Sequence, residues 1–151
     1  MSYCTVRGAL GEGFGGAVAL VPAGRYGRGV VEPAVVVQRQ LDAFNDHDLE
    51  AFLPLFTNDV VIHDLVDGSV VLRGMPAFRA RYERVFTERP LVRADLVGRL
   101  ALGAFVIDRE RLTDGADHPP EDALAIYEVV GGLIARMWFI EPEHRRSPPG
   151  G

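Results

Sequence analysis

Apolar positions recur at three- and four-residue spacing between Pro33 and Asn45, where Val36, Val37, Leu41 and Phe44, with Gln40, mark one helical face behind a proline suited to a first turn. Asp48 then predicts an N-cap for a short second helix, with Glu50 in its first turn and Leu49, Phe52, Leu53 and Phe56 as its apolar positions. From Val60 the period changes. Val60 to Val66 reads as a strand, Asp67-Gly68 as a turn, and Ser69 to Leu72 as a short returning strand. A third helix is predicted from Pro76, with Phe78, Tyr82, Val85 and Phe86 on one face and Arg79, Arg81, Glu83 and Arg84 in water. After Pro90 four β-type segments follow, near residues 91–102, 104–113, 123–130 and 133–140, punctuated by Gly103, Gly115 and Gly131-Gly132. Three helices followed by a long meander predict an α+β fold, with N-terminal helices packed on a curved, mostly antiparallel β-sheet.

The ends of the chain lack this periodicity. Residues 1–31 are Gly-rich and read as a flexible leader, residues 32–142 as the domain, and residues 143–151 as a disordered tail rich in Pro, Gly and Arg. Gly11 to Gly16 satisfies G-x-G-x-x-G, but no strand precedes it and no βαβ unit follows, so it does not predict a dinucleotide site. The leader has no charged n-region ahead of a long apolar run, and no segment approaches membrane-spanning length.

Composition narrows the chemistry. A chain of 151 residues with 48% hydrophobic content suits one domain with a real core, and a net charge of −5 argues against nucleic acid as a partner. All 16 basic residues are arginine, so Schiff-base chemistry and a phosphate-loop lysine are excluded. The single cysteine, Cys4, supports neither a disulfide framework nor a thiolate metal site, and a reducing cytoplasm is the expected location. Ser2, Ser69 and Ser147 lie outside any nucleophile elbow.

Against that background Asp64 stands out as a carboxylate at the end of the apolar run Val60-Val61-Ile62-His63-Asp64-Leu65-Val66. It reads either as a desolvated base for proton abstraction beside a carbonyl or as a strand-end aspartate that holds a turn or pairs with an arginine. Strand alternation sends His63 to the opposite face. Asp114, Asp117, His118, Glu121 and Asp122 around Pro119-Pro120 read as a solvated hairpin loop rather than a metal site, and Asp108-Arg109-Glu110-Arg111 as an exposed or interface run with cross-strand ion pairs.

The segment from Val36-Val37-Gln38-Arg39 through Phe44-Asn45, Asp48-Leu49, Leu55-Phe56 and Asp59 to Asp64 resembles the opening of bacterial ketosteroid isomerases, and the element order over residues 33–141 resembles the nuclear transport factor two superfamily, which includes SnoaL-like polyketide cyclases. The resemblance implies a cone-like, cystatin-like roll enclosing an apolar pocket, with Asp64 as general base and no metal or organic cofactor. Gly74, Arg79 and Tyr82 match the start of the isomerases' third helix. Their oxyanion-donating tyrosine is replaced by Gln40, and their protonated aspartic acid falls at Ala125.

The same resemblance makes Gln40, Phe44, Tyr82, Tyr127, Arg136 and Trp138 the expected substrate-binding residues, with Arg136, Trp138 and Ile140 on the pocket face of the last strand. Pairing of Arg136 with Glu128 on the solvent side is the competing expectation. The implied function is a cyclase or isomerase acting on an apolar, carbonyl-bearing, polyketide-like molecule, in a homodimer formed through the outer sheet face. A catalytically silent member that binds a ligand or a protein partner is the alternative.

Overall fold

The computed structural model describes residues 31–140; the expected tail, and the expected leader apart from Val31, lie outside the described residues. Helix α1, Pro33–Asn45, places its proline in the first turn, where no amide hydrogen is needed. It buries Val36, Val37, Gln40 and Leu41. Asp48 caps α2, Leu49–Phe52, by accepting from the Ala51 amide at 3.0 Å. A single 3₁₀ turn at Leu53–Leu55 then swings the chain directly into strand β1, Phe56–Asp64. The second helix is therefore shorter than its apolar pattern suggests, because Pro54 and the 3₁₀ turn turn Phe56 into the first strand residue.

Strand β2, Val70–Arg73, returns antiparallel to β1, and Gly74 at φ 86° turns the chain into α3, Met75–Glu88. Strands β3, Val92–Leu102, β4, Phe105–Asp114, β5, Glu121–Val130, and β6, Leu133–Phe139, complete an antiparallel meander. The sheet order is β2-β1-β6-β5-β4-β3, and the β1–β6 pair is parallel. The sheet is mixed and stays open, with β2 and β3 as its edges. Register breaks in four of the five strand pairs let it curve around the helices.

An aromatic cluster fills the space between the helices and β1. Phe52 packs on Phe56, Phe78 and Tyr82 with ring centroids 4.9, 5.8 and 4.6 Å apart. Full burial of each such ring is worth about 1.5–3 kcal/mol. Asn45, at the end of α1, donates to the Ala94 carbonyl at 2.9 Å and accepts from the Ala94 amide at 2.8 Å, tying the helix to β3 as an extra strand rung would. The His47 ring contacts the Val92 carbonyl at 2.8 Å and stacks on Phe86. These ties hold the helices at a fixed angle over the concave sheet face, leaving a gap between α1, α3 and strands β4 to β6. Among the described residues no helix is long and apolar enough to cross a membrane.

Candidate functional site

Sheet register decides which side chains meet in that gap. Tyr127 of β5 pairs with Met137 of β6, and Ala125 with Phe139, so these four share the concave face. On β4, Val106, Asp108, Glu110 and Leu112 share it too, through the pairs Val106–Tyr127, Asp108–Ala125 and Glu110–Ala123. Asp64 pairs with Phe139 in the parallel β1–β6 ladder and lies on the same side. The concave face thus carries three buried carboxylates, Asp64 at 2%, Asp108 at 0% and Glu110 at 7% exposure.

Each carboxylate has a different setting. Asp64 Oδ1 accepts from the Val66 amide at 2.7 Å, while the Asp64 backbone bonds Ser69 and Gly68, which closes the β1–β2 turn. Asp108 is held in a two-point pair by Arg99, whose Nε and Nη2 each lie 2.7 Å from one of its oxygens. Arg99 Nη1 continues to Gln38 at 2.8 Å and the Ala34 carbonyl at 3.3 Å, so this pair fastens β3 and β4 to α1. Glu110 alone of the three lines the cavity.

That cavity has a volume of about 190 Å³. Leu41 and Phe44 of α1, Tyr82 and Val85 of α3, and Met137 and Phe139 of β6 contribute to its apolar wall. Exposed Arg89 and Glu121 mark its mouth. Inside, Gln40 Nε2 donates to the Tyr127 hydroxyl at 3.0 Å, and that hydroxyl donates to Glu110 Oε1 across a long 3.4 Å. Burial, followed by the nearby charges of Glu110 and Asp108, holds the Tyr127 hydroxyl well above its ordinary value of 10.0, so it keeps its proton at neutral pH. The arrangement offers an amide, a proton-bearing phenol and a carboxylate in series on a wall that also holds Arg81, which lies over the Phe139 ring. Such a series can polarise an oxygen and exchange a proton. Among the described residues no three His, Cys, Asp or Glu side chains converge on a point that could hold a metal ion.

Of the residues expected at the site, Gln40, Phe44, Tyr82 and Tyr127 come together on the cavity, and Ala125 lies beside them. Asp64 reaches the concave face but not the cavity wall. Arg136 and Trp138 correct the expectation for β6: they face outward, because the Tyr127–Met137 register puts Met137 and Phe139 inside. Arg136 pairs with Glu128 through Nε and, at 3.2 Å, through Nη2. Trp138 stacks on His63, ring centroids 5.4 Å apart and nearly parallel. Ile140 follows β6 and is not on the cavity.

The charged run on β4 also needs correcting. Arg109 and Arg111 do pair with Asp122 on the exposed side, at 3.0 and 3.6 Å, but Asp108 and Glu110 point inward and are buried. Reading from sequence missed Glu110 because both parities of β4 carry large apolar residues, Phe105 and Ile107 on one and Val106 and Leu112 on the other. The usable signal was Arg99, a half-buried partner for Asp108 that would have turned the Asp108 and Glu110 parity inward. The acidic loop after β4 is a hairpin connection whose residues 115–120 are exposed.

The sequence profile of the SnoaL-like domain matches residues 37–137, which takes in every cavity-lining residue except Phe139. The chain belongs to the SnoaL-like family. Solved structures agree on the fold of this SnoaL-like domain. It is similar to a cystatin-fold protein from Novosphingobium aromaticivorans, with 24% identity over 74% of this chain and 99% of the other and a TM-score of 0.65. A candidate polyketide cyclase from Sinorhizobium meliloti matches at 18% identity, 72% and 99% coverage and a TM-score of 0.61. A candidate ketosteroid isomerase from Kribbella flavida matches at 26% identity, 78% and 83% coverage and a TM-score of 0.60. No curated protein matches in sequence.

Proposed function

We propose that this SnoaL-like domain is a cofactor-independent cyclase or isomerase that moves a proton on a small apolar, carbonyl-bearing, polyketide-like molecule held in the concave cavity. The observation that carries this reading is the Gln40–Tyr127–Glu110 hydrogen-bond series on the wall of a cavity that Leu41, Phe44, Met137 and Phe139 also line. A purely structural cavity gains nothing from burying three polar side chains there, since each one costs free energy unless it is paired. Pockets for drug-sized ligands run to about 300–1,000 Å³. A cavity of about 190 Å³ therefore favours a one- or two-ring substrate over a four-ring steroid.

The chemistry follows from the settings of the groups. A carboxylate on the concave face takes a proton from the carbon beside the carbonyl, a role the family resemblance gives to Asp64, while Gln40 and Tyr127 steady the oxygen that gains charge. Arg136, on the outer face, has no part in it. The test is hydrogen–deuterium exchange at the acidic carbon of apolar bicyclic ketones in heavy water, followed by NMR. Acceleration over buffer by the full chain supports the reading. Binding without acceleration by any ketone in such a panel would leave the alternative, a ligand-binding member without catalysis. That alternative draws support from Ala125 at the position of the isomerases' acid and from the Val66 amide already on Asp64.

The same reading has the chain act as a homodimer through the outer sheet face. Leu100, Ile107, Ile126, Trp138 and His63 pair in register as one row across five strands of that face, and Leu100 is 71% exposed. A row of this kind in water is a candidate interface. Sedimentation at micromolar concentration should give twice the chain mass, and a monomer there would refute it.

A further inference from the structure

The mouth of the cavity carries a cation that the proposed chemistry does not use. Arg89 directly follows the last residue of α3 and lines the cavity. An arginine at a helix C-terminus complements the helix dipole by itself, but this side chain is also fixed from across the mouth. Its Nε donates to Asp114 Oδ2 at the end of β4, 2.7 Å away. Among the described residues neither Nη nitrogen of Arg89 donates a hydrogen bond, and its side chain stays 45% exposed. Asp114 itself is only 14% exposed. Next to this pair, Leu91 lies against Gly115, where a Cβ would meet Leu91 Cδ1 at 3.1 Å. The turn after α3 and the β4–β5 hairpin are thus packed on each other, which holds the guanidinium in one orientation. Arg81, two turns earlier on α3, is used differently, with its guanidinium 5.1 Å from the centroid of the Phe139 ring. Arg81 and Arg89 on the cavity wall are balanced by Glu110 and Glu121, so no net field draws an anion in. Any preference for one rests on directed N–H donors, and Arg89 presents them.

Resting on the reading above, we infer that Arg89 binds a carboxylate carried by the substrate, so that the cavity takes an apolar keto acid in preference to a neutral ketone. With Nε occupied by Asp114, the guanidinium offers its Nη1–Nη2 edge, whose two N–H bonds match the two oxygens of a carboxylate. Asp114 supplies the orientation that makes this edge a site, because a guanidinium held in place loses less freedom when it binds. The position at the mouth fits the same ligand. A carboxylate drawn deep into the cavity would lose its hydration at a large cost, whereas at Arg89 it keeps water on its outer side. The ring system of the ligand then lies inward against Leu41, Phe44 and Met137. The charged end thereby decides which end of the substrate enters first, and it sends the carbonyl-bearing end toward Gln40 and Tyr127.

The experiment uses the full chain with 6-carboxy-1-tetralone and 6-carbamoyl-1-tetralone, two bicyclic ketones that differ in the charge at one end. Dissociation constants are read from protein NMR shifts at low salt, and exchange beside the ketone is followed on both in heavy water. The wild type should bind the acid about tenfold more tightly than the amide, the size expected of a half-exposed hydrogen-bonded charge pair. Arg89→Gln should bring the acid's affinity down to the amide's, and Arg89→Lys, which keeps the charge but loses the two-point edge, should retain about a threefold preference. Arg136→Ala, on the outer face, should leave the preference intact. Raising chloride to about 0.5 M should shrink the wild-type preference at least threefold, a reading that needs no variant to fold. Equal binding of acid and amide by the wild type, a preference kept by Arg89→Gln, or one unmoved by salt would overturn the inference. Displacement of the acid by an equal concentration of inorganic phosphate would overturn it too, by making Arg89 a site for free anions. In each of these cases accelerated exchange of the amide's ketone leaves the proposed function standing. Failure of both ketones to bind would overturn both.

Discussion

The turn end and the middle of the concave sheet face each bury a carboxylate, and the two are used differently. At the turn, Asp64 binds its own backbone neighbour, Val66, two residues on, and the local geometry of the β1–β2 connection depends on it. In the middle, Glu110 meets side chains from other elements, Tyr127 of β5 and, through it, Gln40 of α1, on the wall of a cavity. A carboxylate that satisfies local backbone stabilises a fold, whereas one on a cavity wall sits where a ligand would lie. Asp108, two residues from Glu110 on the same strand face, is held by an arginine and stays off the cavity wall. The contrast shows that three carboxylates buried on one sheet face can have three different surroundings: a turn, an arginine and a cavity wall.

The sharpest way to break this comparison is to remove the neutralised carboxylate. Asp108→Ala leaves Arg99, itself mostly buried, without its partner, and should cost about 3–5 kcal/mol in urea denaturation, as removal of one member of a buried pair does. A loss under about 1 kcal/mol would mean that Arg99 finds water and that the pair is not a fastening. Next in size, Asp64→Ala should cost about 1–2 kcal/mol by leaving the Val66 amide unpaired, while Asp64→Asn, which keeps an acceptor oxygen, costs less. Equal costs for the two variants would remove the turn-holding role.

Tyr127→Phe should cost about 1 kcal/mol at neutral pH through its lost hydrogen bonds, and it should also alter the alkaline limb of stability. Burial holds the folded hydroxyl well above 10.0, while the unfolded chain titrates near that value, so the unfolded chain releases its proton first. The contribution of Tyr127 is therefore intact below pH 10 and falls as pH rises beyond it. Denaturation midpoints taken from pH 9 to 11 should fall more steeply for the wild type than for Tyr127→Phe. Parallel curves would refute the burial of a neutral phenol. The smallest effect is expected at Arg136→Ala, below about 1 kcal/mol, since its pair with Glu128 lies on the solvent side with Arg136 half exposed. A larger loss, or a change in the binding of bicyclic ketones, would put that side chain in contact with the cavity after all.

Much of the architecture was legible along the chain because helices α1 and α3 and the strands of the meander bury one face each, and burial imposes the period of the element on the sequence. Asp48 as a cap and Asp64 at a strand end could be read off directly, since both act through backbone within three residues of themselves. Four of the expected ligand-facing residues, Gln40, Phe44, Tyr82 and Tyr127, also met on the cavity. Two of the helical ones, Gln40 and Tyr82, lie on strongly periodic apolar faces.

What the sequence by itself determined, then, was the kind and order of the elements and the local work of single residues. The tertiary structure decided which strand face became the inside. Strands β4 and β6 carry apolar side chains at both parities, so alternation along either one leaves inside and outside equivalent. Only the cross-strand register breaks that tie: Tyr127 opposite Met137 turns Arg136 and Trp138 outward, and Asp108 opposite Ala125 brings Glu110 onto the cavity wall. Register depends on hydrogen bonds between segments distant in sequence and on the bulges that shift them, so no local pattern encodes it.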